Sequence, residues 1–254
     1  MIMFSHRMAG RALAACTLAM AATVPAHAVI YDLAADWSDA ANPTGPWSYT
    51  QGTGPLSHFA QPVDGNPLNA AAVSGYWGTG ATFASAPFLI KTTQNGGATP
   101  SYSDGDFLAG DVIVHSTNPG SGSPAFINWT AAAAGQISFD SSVWYAHSPV
   151  TRSADVTVFL DGVTIGTATV ANGLTRSSAL SLSGSALAVA AGDVLAFRFD
   201  PSAGQSFGSL TGISLTVDFQ AAPAVPEPAD WAMMIIGFSL VGAASRTRSR
   251  VRFA

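Results

Sequence analysis

Apolar and polar positions alternate with a period of two through much of the second half of the chain. Asp155-Val156-Thr157-Val158-Phe159-Leu160 alternates, Val163 to Val170 alternates again, and Asp161-Gly162 lies between them. Two such runs around a two-residue Asp-Gly connection predict a β-hairpin. Ile213, Leu215, Val217 and Phe219 alternate with Ser, Thr and Asp, which predicts a strand with one buried face. Val194 to Phe199 predicts another, entered through an Ala191-Gly192-Asp193 turn. Phe126 to Thr130 and Ile137 to Phe139 predict two strands flanking an Ala131–Gly135 connection, with Val143-Trp144-Tyr145 extending the second. Before residue 110 the punctuation by Gly, Pro, Asn and Ser predicts long loops with a few strands, one near Trp47-Ser48-Tyr49 and one near Phe88-Leu89-Ile90. Helical periodicity is almost absent. The expected fold is all-β: one antiparallel β-sandwich over residues 29–222, most simply a jelly roll.

Both ends break this pattern. Arg7 and Arg11 precede an apolar stretch from Ala12 to Val24, and Ala26-His27-Ala28 is a small-x-small site. This predicts a signal peptide over residues 1–28, cut between Ala28 and Val29. Leu13-Ala14-Ala15-Cys16 also spells a lipobox, but too few apolar residues separate Arg11 from Cys16 for a lipoprotein leader. Cys16 then reads as an apolar residue of the leader. At the other end, over 223–254, Pro226-Glu227-Pro228 precedes an apolar run of 14 residues from Trp231 to Ala244, followed by Arg246, Arg248, Arg250 and Arg252. The prolines stiffen the triplet in an extended form. A helix over the apolar run would be ~21 Å long, short for a bilayer core of ~30 Å. Snorkelling and local thinning can make up the difference, with the arginines on the cytoplasmic side. A single membrane-spanning helix is therefore expected from Trp231 to Ala244.

The order of triplet, span and arginine cluster resembles the PEP-CTERM sorting signal, in the variant whose motif runs from Pro226, Glu227 and Pro228 to Trp231 and Ala232. The resemblance implies processing by an exosortase, a membrane transpeptidase, and a substrate secreted by a Gram-negative bacterium. The product would begin as a precursor in the inner membrane and end at the cell surface or in the exopolysaccharide matrix of a biofilm. The motif residues would be recognised by that enzyme rather than act as catalysts. The stretch from about Asp36 to Asp218 resembles a recurrent secreted bacterial domain. Asn42-Pro43-Thr44-Gly45-Pro46-Trp47-Ser48-Tyr49 matches its opening signature, and Phe126-Ile127-Asn128-Trp129-Thr130-Ala131 through Gly135 its strand pair. Ala132 departs from the usual proline. That resemblance implies a jelly roll like a carbohydrate-binding module.

Composition narrows the chemistry. Between the two ends lie one lysine (Lys91), three arginines (Arg152, Arg176, Arg198), 13 aspartates and no glutamate, a net charge of −9. Such a surface repels nucleic acid. The only Cys and all six Met lie in the terminal segments, so thiol catalysis and thiolate metal sites are excluded from the body. No GxSxG elbow is present, and His58, His115 and His147 lack metal-ligand spacing. Asp104, Asp106 and Asp111 are a candidate structural calcium loop; no other cofactor is expected. Most aspartates sit beside Gly or at strand ends, where turn formation accounts for them. Trp47, Tyr76, Trp77 and Tyr145 are candidate glycan contacts because they lie by loops, although packing is the simpler role of each; Trp129 reads as core. The expectation is a non-enzymatic, exported protein with a structural, adhesive or glycan-binding role towards extracellular polysaccharide. A polysaccharide-active hydrolase or lyase using an Asp pair stands second, and a ligand-free matrix filler third.

Overall fold

The structure is a computed structural model that describes residues 28–60, 73–80, 85–96, 105–146, 150–223 and 232–240. The leader, the Pro226-Glu227-Pro228 triplet, Trp231, the end of the apolar run and the arginine tail lie outside the described residues.

The body is a two-layer antiparallel sandwich, as the alternation predicts. In chain order its strands are β1 (Ala28–Asp32), β2 (Trp47–Gln51), β3 (Gly54–Pro55), β4 (Ser57–Ala60), β5 (Val73–Gly78), β6 (Phe88–Thr92) and β7 (Val112–His115). They continue with β8 (Ala125–Thr130), β9 (Gly135–Tyr145), β10 (Ser153–Leu160), β11 (Val163–Ala171), β12 (Leu180–Val189), β13 (Val194–Pro201) and β14 (Leu210–Ala221). One sheet runs β12-β9-β14-β7-β6-β5-β4, with β1 also paired to β14; the other runs β11-β10-β13-β8-β2-β3. Strand β14 is long enough to pair β7 through Leu210–Ile213 and β1 through Thr216–Gln220 on the same side.

The period-2 pattern decides which residues meet between the sheets. Ile127 and Trp129, Val156 and Val158, and Phe197 and Phe199 point inward from the six-stranded sheet. They meet Ile137, Phe139, Leu215, Val217 and Phe219 from the other. Phe139 and Phe197 cross edge to face at 5.8 Å, and Trp129 lies 5.8 Å from Phe219. The β10–β11 hairpin closes through Asp161 and Gly162, both at positive φ (46° and 78°), as a primed turn requires.

Two expectations are corrected. The strands around Ala131–Gly135 are not a pair: β8 belongs to the six-stranded sheet and β9 to the other, so the connection carries the chain across the sandwich. Residues before 110 are also more regular than their punctuation suggests. Phe88, Leu89 and Ile90 are all buried, because the outer face here carries its own apolar layer. A strand covered on both faces shows no alternation.

That layer is a second cluster of Tyr76, Phe88, Ile90, Phe107, Ile113, Trp144, Ala146 and Leu210. Beside it β9 and β14 present polar side chains outward: Ser138, Asp140 and Ser142 of β9 lie beside Asp218, Thr216 and Ser214 of β14.

In the tail, residues 232–240 form a helix. Among the described residues no helix is long and apolar enough to cross a membrane.

Candidate functional site

The outer face of the six-stranded sheet carries a groove of about 510 Å³, lined by Asp155, Val156, Thr157, Thr167, Ala168, Thr169, Arg198 and Asp200. Its layout follows from strand register. Asp155 on β10 faces Thr169 on β11 and Asp200 on β13; one step along, Thr157 faces Thr167 and Arg198. Residues two apart share a face, so the polar members of all three strands emerge together, while Val156, Val158, Phe197 and Phe199 fill the core beneath.

Asp155 Oδ1 accepts hydrogen bonds from the Thr169 and Ser202 hydroxyls, both at 2.8 Å. Arg198 Nε lies 2.6 Å from Asp200 Oδ2. That Nε–H makes no aligned hydrogen bond. The same guanidinium lies 5.1 Å from the centre of the Phe159 ring. Burial raises the Asp200 carboxyl above its ordinary value; Arg198 pulls it down, and the Asp155 charge pushes it up.

The four candidate glycan-contact aromatics are buried, which corrects the expectation that lying by loops would expose them. Trp47 is 0% exposed and donates its indole N–H to Asp36 Oδ2 at 3.0 Å. Trp77 is 4% exposed and donates to the Ser38 carbonyl at 2.9 Å. Tyr76 donates its hydroxyl to the Gly80 carbonyl, and Tyr145 to the Val150 carbonyl. Each ring is spent on packing, and each polar tip ties down a loop.

The acidic loop is tied to an arginine. Asp111 pairs with Arg176, and its Oδ2 also accepts the Leu108 amide at 2.6 Å. Asp106 Oδ2 accepts the Arg176 amide at 2.6 Å. The Arg176 guanidinium stands 4.1 Å above the Trp144 ring, whose N–H reaches the Asp106 carbonyl at 2.7 Å. Asp104 and His147 lie outside the described residues. Among the described residues no three His, Cys, Asp or Glu side chains gather as a metal requires.

Sequence reading named no member of the groove as a site residue. The signal was available in the strand alternation itself, since Asp155, Thr157 and Thr167, Thr169 are the polar half of the predicted hairpin. What it lacked was the third strand: Arg198 and Asp200 arrive beside them only through the β10–β13 pairing.

No family model matches the chain, and no curated protein matches it. Among solved structures it is similar to the C-terminal family 6 carbohydrate-binding module of a marine laminarinase from Zobellia galactanivorans. That match has 12% identity and a TM-score of 0.26, and covers 42% of this chain and 79% of that one. It is similar to a family 35 carbohydrate-binding module from Clostridium thermocellum at 14% identity and a TM-score of 0.27, covering 42% and 75%. A family 87 α-1,3-glucanase catalytic domain is matched at 13% identity and a TM-score of 0.25, over 46% of this chain and 23% of that one. With identities and scores this low, ligand and activity rest on this chain's own residues.

Proposed function

We propose that this chain is a non-enzymatic exported protein, sorted through its PEP-CTERM-like tail to the cell envelope or exopolysaccharide matrix, where its sandwich associates with glycan. The observation that carries the export and sorting half is the order of the tail: Pro226-Glu227-Pro228, an apolar run to Ala244, then four arginines. The described helix agrees with it. Met233, Ile235, Ile236, Phe238 and Leu240 are each more than half exposed, so apolar side chains look outward around the whole helix. Such a helix suits lipid better than water. Its one hydroxyl, Ser239, donates back to the Ile235 carbonyl at 2.7 Å, as a polar group in an apolar medium must. The glycan half is supported by the polar groove on the sandwich.

The sorting test replaces Glu227 with Ala in the producing cell and follows the mature mass and the membrane-bound fraction. Accumulation of an uncut, membrane-held precursor is expected. An unchanged mass and distribution would reduce the tail to a plain anchor.

A hydrolase or lyase reading has one observation in its favour. Asp155 and Asp200 are direct cross-strand partners, and burial raises the Asp200 carboxyl, which would suit a general acid. Incubating the purified chain with matrix polysaccharides separates the readings: new reducing ends or unsaturated products would establish an enzyme.

A further inference from the structure

The groove on the six-stranded sheet holds like charges at close quarters. Asp155 and Asp200 face each other across neighbouring strands. Like charges placed directly opposite destabilise a sheet. Asp200 is also partly buried, which further disfavours its charged form. Asp155 offsets part of the cost by accepting the Thr169 and Ser202 hydroxyls, whereas Thr or Ser at position 200 would fit the strand without it. Arg198 offsets part of it but leaves the three side chains with a net charge of −1.

Chemically, the face offers two carboxylates as acceptors, one guanidinium as donor, the exposed Thr167 hydroxyl as both, and the Thr169 hydroxyl as an acceptor, since its proton goes to Asp155. This mixture suits a ligand that is itself both donor and acceptor at closely spaced positions. Neighbouring hydroxyls of a sugar ring have that property. The net negative charge disfavours uronate or sulfate groups. Phe159 is already covered by Arg198, so recognition would rest on hydrogen bonds rather than on ring stacking.

The position agrees. Ala28 pairs with Gln220 and Gly135 with Ala221, so the chain enters and leaves the sandwich at one end. Val194, at the start of β13, lies at that end, close to the short β12–β13 connection after Val189. Asp200 is near the other end of β13, which at ~3.3 Å per residue puts the groove roughly 20 Å from where the tail departs.

We infer that this groove, built on Asp155, Asp200, Arg198 and the threonines of β10 and β11, binds a neutral, hydroxyl-rich saccharide. The inference rests on the proposed glycan association and gives it a location and a ligand class.

The test is a glycan microarray probed with the full chain in mild detergent. The array carries neutral glucan, xylan and mannan oligosaccharides, polygalacturonate and chitosan oligosaccharides. Wild type, D155N, D200N, the exposed-edge pair T167V/T169V and D218N, on the outer face of the other sheet, are compared, each with its thermal melt. Binding is expected on neutral glycans only. It should fall at least tenfold in each groove variant and stay unchanged in D218N. The threonine variants keep the test open should an aspartate variant unfold. Neutral-glycan binding equal in wild type and all groove variants would overturn the groove while leaving glycan association standing. Binding confined to polygalacturonate or chitosan would overturn the ligand class. No binding by the wild type would overturn the association itself.

Discussion

Gly212 lies against the indole of Trp144, its register partner on the neighbouring strand; a Cβ on Gly212 would stand 2.1 Å from Trp144 Cε2. The missing side chain lets the largest ring of the outer cluster lie down on the sheet. Gly212→Ala should therefore destabilise the protein by about 3 kcal/mol through overpacking. A denaturant melt checks this, and an unchanged midpoint would mean that the indole moves freely aside.

The same indole is also covered by the Arg176 guanidinium, 4.1 Å from its ring centre. Arg176→Ala removes the cation from the ring and leaves Asp111 with the Leu108 amide but no cation, for an expected loss of about 1–2 kcal/mol. Arg176→Lys should recover less than half, because an ammonium cannot lie flat on the ring. Thermal melts of the two variants decide it, with tryptophan emission reporting the exposure of Trp144.

His115 is buried, and burial lowers its pKa from 6.5 to about 4. Its Nδ1 lies 2.7 Å from the Ser116 carbonyl, and its ring lies 4.9 Å from Phe88. The unfolded chain takes up this proton near pH 6.5 and the folded one only near pH 4. Stability should thus fall as pH drops through that window, by on the order of 3 kcal/mol, and the contribution should level off below it. Asp200 acts with the opposite sign, because its folded carboxyl is raised and gains a proton before the unfolded one. His115→Gln isolates the histidine: denaturant melts between pH 7 and pH 4 should lose most of their slope in the variant.

The β10–β11 turn depends on backbone conformation alone. Gly162 sits at φ 78° with open space where a Cβ would go. Gly162→Ala should cost about 1 kcal/mol through left-handed strain without any clash. Asp161→Asn, equally tolerant of positive φ, should be nearly neutral. The two melting temperatures, compared side by side, check the assignment.

Local chemistry made the hairpin legible, since Asp161-Gly162 and the runs on either side name both the turn and the buried face. The one-sided strands β13 and β14 were legible for the same reason. Strand β12 was not read: Leu180 and Leu182 alternate with Ser, but the register shifts between Gly184 and Leu187 and breaks the period. Before residue 110 the strands at Trp47–Gln51 and Phe88–Thr92 were legible, but β5 was not, because Tyr76 and Trp77 are buried in the clusters on opposite faces of the sheet and leave no alternation to read. The aromatics by loops misled for a related reason. An indole or phenol near a turn is free to swing either way in sequence terms, and only the neighbouring carboxylate or carbonyl decides that it turns inward, as Asp36 does for Trp47.

By itself, the sequence determined the class of the body, the face each regular strand buries and the special turn at Asp161-Gly162. All of these are set by residues adjacent in the chain, within the reach of steric and solvation effects acting locally. Tertiary structure decided which strands became neighbours. It brought Asp200 and Arg198 beside Asp155 from more than forty positions away, laid Trp144 on Gly212, and put Arg176 over the Trp144 ring. Strand pairing is a long-range choice, decided by how two apolar faces fill one core. The groove exists only because that choice set β13 against β10.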